Sequence, residues 1–199
     1  LKLNAETTRR FLVGIDEAAD RLARLIDDLL SVSRIESGRF RFFPQVLELG
    51  DVLRKITAQM QTQTAQHAIQ LDVAVGESIR VKADRAQMQQ VMENLIGNAV
   101  KYSPEGGDIT VRVTADDQHV TVSVEDQGVG IPEEHLERVF EKFHRVESGP
   151  ARRAPGSGLG LYIATTIIEA HGGRIWAEKG ASKGSVFRFS LPRLVGEQE

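Results

Sequence analysis

The sequence predicts an α+β fold: a two-layer α/β sandwich, with helices on one face of a mixed sheet, preceded by a long helix that belongs to a helical bundle. Three observations carry this prediction. Residues 4–37 repeat apolar side chains at steps of four and three. Beyond residue 44, segments of period two alternate in blocks with segments of period 3.6. Several of the period-two segments are neighbours joined by short turns, which marks antiparallel pairs.

In the long helix, Phe11, Ile15, Ala18, Leu22, Leu25, Leu29 and Val32 form the seam. Leu12, Ala19, Ile26 and Leu30 widen it, as a four-helix bundle requires. Asp16, Glu17, Arg21, Arg24 and Asp27 fall outside it. The alternative is a helix packed on its own domain. Gly38 supplies a stop, and Pro44 keeps the next segment extended. Three domains of organisation follow: helix and linker over 1–43, the sandwich over 44–193, and a tail from 194 to 199.

Within the sandwich, 46–49 reads as a short strand and 51–66 as a helix through Val52, Leu53, Ile56 and Met60. Residues 69–75 and 79–83 read as strands. Asp84 can cap the next helix, with Gln87 completing a capping box. That helix buries Met88, Val91, Met92, Leu95, Ile96, Ala99 and Tyr102, and ends at a turn cluster over 103–107. Strands follow at 108–114 and 119–125, then a helix over 158–170 stopped at Gly172, and strands at 174–179 and 185–191. Trp176 is expected in the core.

Composition bounds the function. The chain has 199 residues, a net charge of −3 and 41% hydrophobic residues, so its charge gives no reason to expect nucleic acid or an acidic membrane surface. It has no Cys, which excludes a disulfide framework and thiolate metal sites. No apolar run reaches membrane-spanning length, and no signal peptide is visible. The chain opens at Leu1 in mid-pattern, which predicts a piece of a longer protein.

Three stretches carry chemistry. Gln87, Gln90, Asn94, Asn98 and Lys101 form a stripe of amides and one lysine along the helix at 85–102. Asn is a poor helix former, so the pair at i and i+4 points either to Mg²⁺ and phosphate ligation or to a polar seam capping nearby loops. Asp126 follows a strand and precedes Gly128 and Gly130. Its carboxylate can accept from an exocyclic amine such as that of adenine, or the segment is an ordinary turn. Residues 155–161, PGSGLGL, place glycines at a helix start, either a phosphate site or a ligand-free helix start. No Lys-Ser/Thr follows, so this is not a Walker loop. Between the last two, Phe140 and Phe143 are expected to anchor a short helix. Residues 148–155 then read as a mobile lid, with Arg145 able to reach a terminal phosphate. His144 and His171 read as structural or exposed.

In order, NLIGNAVKY over 94–102, DQGVGI over 126–131, FEKF over 140–143 and GSGLGL over 156–161 resemble the N, G1, F and G2 boxes of the ATP-binding domain of bacterial sensor histidine kinases. LARLIDDLLSVSRIESG over 22–38 is similar to the second helix of their dimerisation domain. The resemblance implies a Bergerat-type (GHKL) sandwich binding ATP or ADP with Mg²⁺. It implies Asn98 as the Mg²⁺ ligand with Asn94 beside it, and Lys101 and Tyr102 on the phosphates or ribose. Asp126 would take the adenine amine, with Gly128, Gly130, Ile131 and Phe143 around it. Gly156, Ser157, Gly158, Leu159 and Gly160 would meet the phosphates. Asn94, Lys101 and Arg145 would be the catalytic set.

The implied reaction moves the γ-phosphoryl group to a histidine nitrogen, then to an aspartate of a response regulator. The implied partners are a second copy, through the N-terminal helix, and that regulator's receiver domain. Neither nucleic acid nor a membrane is expected to touch this stretch, in a cytoplasmic setting with a parent open to membrane anchoring. Two departures stand out. Gln127 replaces a more usual Asn, and none of His67, His119, His135, His144 or His171 precedes the family's ELRTP acceptor context. The stretch is therefore expected to bind ATP without phosphorylating itself. Two readings compete: a gyrase- or chaperone-like ATPase, which would need a general base where Asn94 stands, and a non-enzymatic dimerisation or docking module.

Overall fold

The computed structural model describes residues 4–39, 41–73, 79–146 and 156–194, in two compact units, Leu1–Phe40 and Arg41–Glu199. The first unit is one helix, α1 (Ala5–Glu36). Asn4 caps it by accepting from the Thr7 N–H at 2.7 Å, and Gly38 follows its end with φ +65°. Phe11, Leu12, Ile15, Leu22, Ile26, Leu29 and Leu30 are each half or more exposed, so the apolar stripe lies largely open. Among the described residues no helix is long and apolar enough to cross a membrane.

The second unit contains β1 (Gln45–Glu48), α2 (Leu49–Gln61), β2 (His67–Val73), β3 (Arg80–Ala83), α3 (Arg85–Tyr102), β4 (Gly107–Ala115), β5 (His119–Glu125), α4 (Gly160–Ala170), β6 (Arg174–Lys179) and β7 (Ser185–Pro192). Five strands form one sheet in the order β2-β4-β5-β7-β6, and β1 pairs with β3 in a second. β2 and β4 are parallel; the other pairs are antiparallel. This is the expected mixed sheet.

The sheet's inner face carries Ile109, Val111, Val113, Val120, Val122, Val124, Phe187, Phe189 and Leu191, all buried. Against it lie α2, α3 and α4. The predicted face of α3 is buried from Met88 to Ala99; Tyr102, expected on the same face, is only half-buried. Each large apolar side chain buried there contributes about 1.5–3 kcal/mol. That burial fixes the rotation of α3, and so presents the amide stripe away from the core.

Several expectations need correction. α2 stops at Gln61 rather than near residue 66. The Gln61 amide donates to the carbonyls of Thr64 (3.1 Å) and His67 (2.9 Å) and accepts from the Ile69 N–H (2.7 Å), so it ties the turn to β2. The capping box at α3 is half made. Asp84 accepts from Ala86 and Gln87, but its own N–H goes to His171 Nε2 at 3.0 Å, and Gln87 Oε1 is buried without a partner. Trp176 is not in the core: on β6 its indole N–H donates to Glu178 and the Arg174 guanidinium lies 4.5 Å from its ring centre. Leu194, the first residue of the expected tail, donates to the Arg80 carbonyl. Ala74 and Val75 of the expected strand and residues 148–155 of the expected lid lie outside the described residues.

Candidate functional site

The site is assembled by three loops meeting the polar side of α3. Asn94, Asn98, Lys101 and Tyr102 are half-buried on that helix. Lys101 Nζ donates to the Tyr102 hydroxyl at 2.9 Å and lies 4.4 Å from its ring centre. Glu93, the neighbouring carboxylate, accepts from Gln89 Nε2 at 2.8 Å and is turned along the helix.

The first loop leaves the end of β5. Asp126 is buried at 2% exposure, a position where a carboxylate is rarely found without partners. Its Oδ1 accepts from the N–H groups of Gly128 (2.8 Å) and Ser185 (3.3 Å), and its Oδ2 accepts from the Ser185 hydroxyl at 2.6 Å. The loop is pinned to α3 by Val129 N–H donating to the Tyr102 carbonyl at 3.0 Å. Gly128 is obligatory there, since a Cβ would strike the Tyr102 carbonyl and come within 2.7 Å of Ser103 Oγ. Gly130 has φ +71°, and Ile131 is half-buried just beyond it.

The second loop is the glycine run leading into α4. A Cβ on Gly156 would lie 2.6 Å from Lys101 Nζ, and one on Gly160 2.8 Å from Asn94 Oδ1. The backbone of this run therefore rests directly on the amide-and-lysine stripe. Ser157 Oγ accepts from the Leu159 N–H at 3.2 Å, and Leu159 is buried. The third segment touches the second: Phe143 N–H donates to the Gly158 carbonyl at 3.0 Å.

Phe143 itself corrects an expectation. Phe140 anchors its segment, edge-on to Phe187 at 6.3 Å, at a short 3-10 turn over Arg138–Phe140. Phe143 is 62% exposed and adopts φ +61°, so it is no anchor. Arg145 is exposed two residues further on. His144 does have a partner, His135, at 3.1 Å between ring nitrogens. His171 is structural, as expected, and buried.

The residues not foreseen are Ser185, which orients Asp126, and Gly184, whose positive φ of +77° lets its backbone lie against the Asp126 backbone. His67 was also missed as a structural link: buried, it bridges Thr64 and the carbonyl of Ser103 at the end of α3.

The arrangement gathers, in one place, a buried carboxylate acceptor, an ammonium, two amides and a close-lying glycine backbone. Asn94 Nδ2 is buried with no partner, a donor whose desolvation calls for an acceptor. Among the described residues no group of three His, Asp or Glu could hold a metal.

The chain belongs to the histidine kinase-, DNA gyrase B-, and HSP90-like ATPase family, which matches residues 83–195. Within it, the chain is homologous to sensor histidine kinases. It is 35% identical to the sensor histidine kinase WalK of Bacillus subtilis (strain 168), over 95% of this chain and 31% of that protein. Crystallised full-length ShkA in complex with AMPPNP superposes with a TM-score of 0.80 at 27% identity, covering all of this chain and 41% of that one. The histidine kinase ThkA, solved in complex with the response regulator protein TrrA, gives a TM-score of 0.76 at 28% identity, covering 96% of this chain and 53% of that one. The chain thus spans about a third of the length of WalK. The fold is the expected GHKL-type sandwich, the domain is an ATP-binding histidine kinase domain, and the resemblance drawn from the four boxes holds.

Proposed function

We propose that this chain binds ATP with Mg²⁺ on the face of α3 and, in a full-length parent, presents the γ-phosphoryl group to a histidine that is none of the five in this stretch, for onward transfer to a response regulator. The observation that carries the reading is the convergence of Gly156 and Gly160 on Lys101 and Asn94, beside a buried, pre-oriented Asp126. In this reading Asp126 accepts from the adenine amine, and Gly128, Gly130, Ile131 and Phe143 shape the base pocket. Lys101 and the N–H groups at residues 156–160 meet phosphate oxygens, with Tyr102 on the phosphates or ribose. Asn98 supplies an amide oxygen to Mg²⁺, with Asn94 beside it. Bound Mg²⁺ would neutralise charge on the phosphates; the chain's own contribution is positioning and fixed dipoles. Arg145 is assigned to the terminal phosphate.

The open stripe of α1 supports a homodimer in a helical bundle. A response-regulator receiver domain is the proposed partner, in keeping with the complex of ThkA and the response regulator protein TrrA, and the proposed setting is cytoplasmic, with a parent open to membrane anchoring. The ATPase reading would need a base where Asn94 stands, and an amide cannot deprotonate water; the neighbouring Glu93 accepts from Gln89 along the helix. The test is ATP binding alongside ADP release over hours. Binding without steady turnover is expected; sustained turnover would favour the ATPase reading.

A further inference from the structure

Residues 42 and 43, at the start of the second unit, are fastened to the first turn of α3. Phe43 N–H donates to Asp84 Oδ2 at 2.8 Å, while Asp84 Oδ1 caps α3 through Ala86 (2.9 Å) and Gln87 (3.3 Å). The Phe42 ring lies 4.9 Å from the His171 ring. His171 in turn accepts from the Asp84 N–H and donates through Nδ1 to the Ile167 carbonyl of α4 at 2.7 Å. The Phe43 side chain is 76% exposed, so its backbone, not its ring, is what is held.

One carboxylate therefore serves two masters: one oxygen holds the connector, and the other holds the start of the helix that carries Asn94, Asn98 and Lys101. Capping needs only one oxygen. The second oxygen and the His171 imidazole tilted against Phe42 are in excess of what starting a helix requires.

We propose that Asp84 and His171 are positioning residues that couple the connector at 41–43 to α3, so that undocking Phe42 loosens the N-terminal turn of α3 and weakens nucleotide binding. The nucleotide arm rests on the function proposed above; the coupling itself does not. By linkage, the same coupling would let a bound nucleotide tighten the connector.

The test is residue-resolved amide exchange on the whole chain, for wild type, Phe42→Ala and Asp84→Asn, with ADP titrations beside it. Asn caps helices about as well as Asp, but with its oxygen on the cap it offers Phe43 only an amide nitrogen. Asp84→Asn should then speed exchange at Phe43 about tenfold, the scale of one lost hydrogen bond, and leave Ala86 and Gln87 near wild-type rates. Phe42→Ala removes the ring that lies against His171, and should speed exchange at Phe43, Asp84 and Gln87 together and weaken ADP about three- to tenfold. The proposal is overturned if Phe42→Ala speeds Phe43 while Asp84, Ala86 and Gln87 keep wild-type rates. It is overturned equally if Phe43 exchanges freely in the wild type. If the wild type fails to bind ADP, the function proposed above falls, and the exchange rates at Asp84 and Gln87 decide the coupling alone.

Discussion

Gly160→Ala separates folding from binding. Gly160 is the first residue of α4, with no positive φ, so alanine is conformationally acceptable there. Replacing a helical glycine gains about 0.5–1 kcal/mol. The new Cβ would lie 2.8 Å from Asn94 Oδ1 and 3.3 Å from its Cγ, which forces the amide off its present rotamer at about 0.5–1.5 kcal/mol. The two effects nearly cancel, and net stability should change by less than about 1 kcal/mol. Binding has no such compensation. If the Asn94 amide meets nucleotide phosphates or the waters around Mg²⁺, displacing it loses a hydrogen bond to a charged group, about 1.5–3 kcal/mol. Affinity for ADP should fall roughly tenfold to a hundredfold. Thermal melting and calorimetry on the same samples read both quantities. Unchanged affinity together with unchanged stability would show that the contact between Asn94 and the glycine run has no part in the site.

Three further outcomes are expected. Ser185→Ala removes the hydroxyl that donates to buried Asp126 at 2.6 Å, so urea unfolding should show a loss of about 1.5–3 kcal/mol; a neutral result would mean that water replaces the hydroxyl. Phe143→Gly relieves a left-handed residue whose ring is mostly exposed, and stability should rise by about 0.5–1 kcal/mol, with a fall pointing to packing of the ring. At Asp84, burial alone would raise the carboxyl pKa, but the N–H groups of Phe43, Gln87 and Ala86 outweigh it and hold the group below its ordinary 3.8. A depressed folded pKa adds stability above the unfolded value and loses it as pH falls through the folded value. The stability gap between wild type and Asp84→Ala, about 1 kcal/mol at pH 7 for the lost cap, should therefore shrink as pH drops below 3.8; a gap that widened in acid would contradict the assignment.

What could be read from sequence was whatever repeats or sits close in the chain. The apolar face of α3, the alternation of β4 and β5, and the glycines beside Asp126 all obey local rules. What escaped depends on partners far away. Ser185 reaches Asp126 across 59 residues, and its type carries no signal of its own. His171 takes the Asp84 N–H from 87 residues away, which is why the local capping box predicted at Gln87 stays half made. Phe143 and Trp176 were misread for a different reason. Aromatic chemistry predicts burial on average, but Phe143 sits where its backbone must meet Gly158, and Trp176 lies on β6 at the sheet edge with Arg174 over its ring.

The most direct measurement is calorimetric binding of ADP, with and without Mg²⁺, to the wild-type chain, Asp126→Asn and Asn98→Ala. The account predicts that the wild type binds, that Asp126→Asn abolishes binding, and that Asn98→Ala binds with its Mg²⁺ dependence gone. No binding by the wild type, or binding by Asp126→Asn at wild-type affinity, would contradict it.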